Sequence, residues 1–253
     1  MESKKLPIKL GKEPLIDAVF QLRFSSIAPA SNILPGALYA QLGQGGQGIS
    51  VQKLPLAHVP EAIRRADPNL QFSPVIKLEW QQYWLLIGDG SIAVSCKLPY
   101  PGWSSFRAAV AQVVKEVAKV GIVKTIDRYS LKYVDIVPAS DVQRQVDGLN
   151  WQVRVGNHAL KAEIAGVRVE IPRGSYRHIV SIQTGGVAEI PGRPPIEGVI
   201  VDVDSICKVS ETELSKFMAD MPANLDDIHT ENKAMFFECL TPATLEALDP
   251  TYE

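Results

Sequence analysis

Cysteine is scarce in this chain: Cys96, Cys207 and Cys239 are the only three in 253 residues, far apart and outside any pairing motif. That excludes a disulfide scaffold and fits reduced thiols in a cytoplasm. No stretch approaches the ~18–20 uncharged apolar residues of a membrane span. The opening Met1-Glu2-Ser3-Lys4-Lys5-Leu6-Pro7 sets no apolar run behind its lysines, as a signal peptide would. These absences predict a cytoplasmic protein with no membrane segment.

Chemical signatures are missing too. His58, His158 and His178 show no zinc-ligand spacing with one another or with cysteine. There is no Walker A sequence, no G-x-S-x-G elbow and no Cys/His nucleophile signature. Gly43-Gln44-Gly45-Gly46-Gln47-Gly48 has the letters of a dinucleotide fingerprint, but no helix opens after it to meet a pyrophosphate, and a loop is expected. No cofactor is expected.

What the chain does have is ordinary for a globular protein: 46% hydrophobic residues, 21% charged, and a formal charge of −2. That is enough for one large domain or two small ones. The near-neutrality is a cancellation. Residues 1–140 carry 16 basic against 10 acidic side chains, residues 141–200 carry 7 against 6, and residues 201–253 carry 3 against 12. A net of +6 over the first 140 residues, without the aromatic–basic interleaving of an RNA-binding module, argues against nucleic acid as a partner.

Periodicity predicts an α+β fold. Pro14–Phe24 reads as a strand with Phe20, Leu22 and Phe24 alternating against Gln21 and Arg23. Residues 29–70 read as a long connection with one short helix near Pro35–Leu42. Val75–Trp80, Tyr83–Ile87 and Ser91–Lys97 read as consecutive antiparallel strands, the last pair joined through Gly88-Asp89-Gly90. Ser104–Val120 is a helix with Phe106, Val110, Val113, Val114 and Val117 on one face, capped by Ser104 or Ser105 and ended by Gly121. Tyr129–Val137 is another strand.

The second part repeats this order. Trp151–Val155, Leu160–Ile164, Val167–Ile171 and Ile179–Thr184 read as strands, Gly185–Gly198 as a loop, and Val199–Asp204 as a strand. Ser210-Glu211-Thr212-Glu213 is a capping box for a helix that stops before Pro222. A second helix runs from about Leu225 to Leu240, and Thr241-Pro242 starts a short last one. The expectation is two similar α+β halves, each a mainly antiparallel sheet with a packed helix: residues 1–138 and, after a linker at 139–149, residues 150–253 with an acidic helical end.

Several patches are similar to a sporadically distributed family of uncharacterised bacterial proteins of about 250 residues. They are Pro14-Leu15-Ile16-Asp17-Ala18-Val19-Phe20-Gln21-Leu22-Arg23-Phe24, Tyr100-Pro101-Gly102-Trp103, Arg128-Tyr129-Ser130-Leu131-Lys132-Tyr133, Ile200–Asp204, and Leu225-Asp226-Asp227-Ile228-His229 followed by Phe236-Phe237-Glu238. The resemblance implies no known activity. Its patchy distribution suggests accessory genes such as those of bacterial defence or toxin-related loci.

Three groups of residues are candidate sites. Tyr100 and Trp103 before the long helix, with Arg128 on a strand, suit a protein-binding patch, because aromatic residues and arginine dominate binding hot spots; the alternative is a rigid turn whose Trp103 plugs the core. Asp202 and Asp204 share one strand face and, with His229, have the donor types for a divalent metal and a hydrolase; the alternative is a salt-bridged strand facing Arg168, Arg173 or Arg177. Trp80, Trp84 and Phe106 could line a small-molecule cavity. The first expectation is a non-enzymatic accessory protein with a protein partner or a second copy of itself. A small-molecule binder and a metal-assisted hydrolase are the alternatives.

Overall fold

The computed structural model describes residues 6–43, 49–190, 192 and 194–252. Residues 44–48 of the glycine-rich stretch lie outside the described residues. The elements are β1 (Lys9–Leu10), β2 (Leu15–Ser26), α1 (Ala30–Leu42), β3 (Ser50–Lys53), α2 (Glu61–Ala66), β4 (Ile76–Trp80), β5 (Tyr83–Ile87), β6 (Ser91–Cys96), α3 (Trp103–Lys119), β7 (Val123–Pro138), α4 (Val142–Asp147), β8 (Arg154–Val155), β9 (His158–Ala159), β10 (Gly166–Arg173), β11 (Tyr176–Ala188), β12 (Ile196–Glu213), α5 (Leu214–Glu238), α6 (Pro242–Ala247) and β13 (Pro250–Thr251). The fold is α+β. Nine strands are hydrogen-bonded in the order β10-β11-β12-β7-β2-β6-β5-β4-β3, and β1-β13 and β8-β9 form two short ribbons.

The chain divides into two compact units, and each draws on segments far apart in sequence. One takes the described residues of Met1–Asp17, Lys132–Ser205 and Ile228–Glu253; the other takes Ala18–Leu131 and Ile206–Asp227. Residues 139–149, expected to be a linker, contain α4, whose N-cap Asp141 accepts the Arg144 N–H at 2.9 Å.

In the second of these units the alternation of β2 buries Phe20, Leu22 and Phe24, and α1 and α3 pack on the same sheet. The apolar stripe of α3 (Phe106, Val110, Val113, Val114, Val117) is at most 1% exposed. This packing holds a helix whose β-branched content alone would favour it weakly. Gly102, with φ of +86°, occupies the N-cap, so neither Ser104 nor Ser105 caps this helix. In the other unit Val180 and Ile182 of β11, Val199, Val201 and Val203 of β12, and Met235 and Phe236 of α5 form one core with Leu240 and Leu248. Gly198 belongs here because the chain leaves no room: a Cβ would sit 2.2 Å from the Val137 carbonyl oxygen.

Other sequence expectations fail for physical reasons. The two C-terminal helices are one, α5, with Pro222 inside it. Its buried residues Phe217, Met221, Leu225, Ile228, Met235 and Phe236 keep helical spacing straight through the proline. Burial along that stripe outweighs the ~3 kcal/mol that a helix-interior proline costs. The supposed capping box is the end of strand β12, which the β-branched run from Val199 to Val209 carries on to Glu213. Leu160–Ile164 is not a strand. The Glu163 carboxylate accepts the N–H groups of Lys161 and Ala162 at 2.8 and 3.0 Å, with His158 Nε2 2.7 Å away, and this local turn replaces ladder bonds. Those contacts hold the Glu163 pKa down at about 2.

Candidate functional site

Tyr100 and Trp103 meet at Phe106, and Arg128 meets Gln21. Both aromatic rings meet Phe106 edge-on, at 6.1 and 6.2 Å between centroids. The half-buried Trp103 donates its Nε1–H to Asp226 of α5 at 3.2 Å. Arg107 grips the same carboxylate with its Nε 2.8 Å from Oδ1 and its Nη2 2.8 Å from Oδ2, and also donates to the Pro222 carbonyl at 3.3 Å. Arg128, on β7, donates to Gln21 Oε1 at 3.2 Å, an oxygen that also accepts from Arg23 at 2.9 Å. The aromatic pair therefore covers Phe106, while Trp103 and Arg107 tie α5 through Asp226.

Asp202 is ion-paired on the outer face of its strand. Val199, Val201 and Val203 point into the core, so Asp202 and Asp204 lie on the other side of β12. Asp202 is held by Lys132 of β7 at 2.7 Å rather than by arginine. Arg168 and Arg177 approach Glu170 instead, and Arg173 grips Glu238 with two bonds of 2.6 and 3.0 Å. His229 meets the Tyr133 ring edge-on at 6.0 Å. Among the described residues no three His, Cys, Asp or Glu side chains converge as a metal-binding set.

Sequence reasoning missed the group that the strand face leans on. Asp135, 5% exposed, has its pKa raised well above the usual carboxylate range, by burial first and then by the neighbouring charges of Glu13 and Asp202. Partial burial also raises Glu13, against the attraction of Lys9 and Lys233. A second missed network is wholly internal. His178 Nδ1 lies 2.8 Å from Ser205 Oγ, and Asn232 Nδ2 donates to both Ser205 Oγ and the Val203 carbonyl at 2.9 Å. All three residues are 0% exposed, so this imidazole–hydroxyl–amide set ties β11, β12 and α5 together and offers no path for a substrate. Burial, then the charge of Arg173, lowers the His178 pKa. No sequence spacing announces either group, since their members lie tens of residues apart.

The cavity is not where the aromatic residues suggested. Trp80 and Phe106 are packed in the core, at 3% and 0% exposure. Trp84 alternates to the opposite face of β5, with Lys77 and Lys97 ammonium groups 3.6 and 4.4 Å from its ring centre. The cleft in the unit containing β12's first half has a volume of about 900 Å³. Lys12, Glu13, Ile136, Arg144, Asp147 and Thr244 are among its walls.

The remaining feature is an open edge. Strand β10 ends the nine-stranded order and pairs only with β11 among the described residues. Its Arg168 and Glu170 face is exposed, and on the other face Val169 is 43% exposed between the half-buried Val167 and Ile171; Val155, Ile164 and Val187 nearby in sequence are 75%, 74% and 56% exposed. A bare row of backbone donors and acceptors beside apolar side chains is a template for another strand. No family model and no curated protein matches this chain. No described helix is long and apolar enough to cross a membrane.

Proposed function

We propose that this chain is a non-enzymatic, cytoplasmic interaction protein: an accessory subunit, of the kind encoded in bacterial defence or toxin-related loci, that binds a protein through its sheet edge. The observation that carries this reading is β10, an edge strand with no neighbour on its outer side among the described residues and with Val169 43% exposed. Strand addition there satisfies the outward N–H and C=O groups and covers the valine in one step. The resemblance of the Pro14–Phe24 and Leu225–Glu238 patches to a family with a patchy bacterial distribution supports the accessory role. The test is affinity purification of the tagged protein from its native host together with the products of adjacent genes. A stoichiometric protein partner, lost when Val169 is changed to Lys, is expected; recovery of no stoichiometric partner overturns the reading.

A second reading is favoured by the cleft of about 900 Å³, within the size of small-molecule sites. Its charged wall residues Lys12, Glu13, Arg144 and Asp147 suit a polar ligand. A ligand found by thermal-shift screening must lose affinity when Arg144 is changed to Ala; unchanged affinity removes the cleft as its site.

A further inference from the structure

The geometry points to a second copy of this chain as the occupant of the β10 edge, paired antiparallel about a two-fold axis at Val169. This deepens the edge-binding reading above and rests on it.

The ladder to β11 decides which backbone groups are free to pair. The Thr184 N–H donates to the Ala165 carbonyl at 3.0 Å, one step beyond the Gly166–Gln183 pair. At the other end the hairpin closes on Arg173 opposite Tyr176 around Gly174-Ser175. Hydrogen-bonded positions alternate in an antiparallel ladder. The odd-numbered residues of β10 therefore bond inward to β11. Gly166, Arg168, Glu170 and Pro172 turn their backbone groups outward. Pro172 sits at one of these outward slots, where its missing N–H costs the sheet no bond.

In an antiparallel pair of β10 strands, outward residues must stand opposite outward residues. Three registers keep both charged residues within the paired stretch. Centred on Arg168, the pairing sets arginine against arginine. Centred on Glu170, it sets glutamate against glutamate. Centred on Val169, it sets Arg168 of each copy opposite Glu170 of the other, twice. It also aligns Val167 with Ile171, twice, and brings the two Val169 side chains together at the axis. That central pair is non-hydrogen-bonded, the kind in which side chains approach most closely. The stretch Val167-Arg168-Val169-Glu170-Ile171 is thus complementary to itself in charge and in polarity, as a two-fold interface requires. Arg168 and Glu170 are exposed, with side chains 58% and 46% accessible, and lie 3.5 Å apart within the single strand. Glu170 already meets Arg168 and Arg177 within its own copy, and both charged residues are exposed enough to exchange those contacts for ones with a facing copy.

The test uses the purified full chain in sedimentation velocity across the micromolar range. A particle of twice the 27.7 kDa chain mass is expected. Arg168→Glu and Glu170→Arg, each alone, place like charges opposite one another twice and should raise the dimer dissociation constant about tenfold or more. The double variant R168E/E170R restores both pairs with signs exchanged and should restore the dimer. Independently, V169C should give a disulfide-linked dimer on mild oxidation, and V167C should not, because only position 169 meets its own copy. A monomeric wild-type protein, a dimer indifferent to both charge reversals, or cross-linking at 167 rather than 169 overturns the proposal. If the wild-type chain is monomeric yet still recovers a stoichiometric partner that Val169→Lys abolishes, self-pairing falls and the edge-binding reading stands. A monomer with no partner ends both.

Discussion

Arg64 and Asp89 form a forked, buried ion pair, with Nε 2.9 Å from Oδ2, Nη2 3.0 Å from Oδ1 and each side chain 8% exposed. The Ser31 hydroxyl donates to Oδ1 at 2.5 Å, Arg64 also donates to the Val59 carbonyl, and the Asp89 carbonyl accepts the Ala30 N–H at 2.9 Å. One carboxylate thus joins the β5–β6 turn, α2 and the start of α1.

Breaking that pair from one side strands a buried charge. Asp89→Ala should cost about 3–5 kcal/mol of unfolding free energy, read from urea melts. Replacing both residues with apolar ones of similar volume (Arg64→Met with Asp89→Leu) should cost much less, because no charge is left without a counterion. Equal losses for the single and double variants would show that packing, not charge, is what the site supplies.

Asp135 makes stability depend on pH in a definite direction. Its folded-state pKa lies above the unfolded value, so the folded protein holds the extra proton between the two. Stability falls as pH rises through that window, and the whole penalty applies above it. Asp135→Asn keeps the shape and removes the charge. Thermal melts should show it raising the melting temperature at pH 8 by more than at pH 4; a destabilisation that does not change with pH would contradict the burial argument.

His178 has the opposite dependence. Its folded pKa is below the usual value of 6.5, so the unfolded chain takes up the proton first as pH falls. Stability is full above 6.5 and declines as pH falls from there to the folded value. Ser205→Ala removes the hydroxyl shared by His178 and Asn232 and should cost about 1–3 kcal/mol at pH 8. An NMR titration in which the His178 ring protonates at or above the value for an exposed histidine would exclude this account.

The elements most legible in the sequence were those whose burial repeats locally. Phe20, Leu22 and Phe24, the α3 stripe and the β4–β5–β6 meander follow from periods of two and of about three and a half residues. What escaped depends on distant partners. Asp89 read only as part of a turn because Asp-Gly is a hairpin signal, and its counterion lies on α2, inside a stretch read mostly as loop. Pro222 looked like a helix end because propensity is local, whereas the stripe that overrides it is fixed by packing. Among the site candidates, alternation placed Asp202 and Asp204 on the outer face of β12, but neither Lys132 nor Asp135 has a spacing that reveals it as a neighbour. The β10 charges were legible as letters. Their self-complementarity appears only once the ladder shows which residues face outward.

Strand β1 pairs with β13, Lys9 opposite Thr251 and Leu10 opposite Pro250. A ribosome elongating at ~5–20 residues per second needs on the order of 10–50 s to make what lies between them. In that interval β1 waits without its counterpart, while Ala18–Leu131 and later Ile206–Asp227 of the other unit are made. Birth order and spatial order therefore disagree. The β1–β13 ribbon closes only after every other strand and helix of both units has been made.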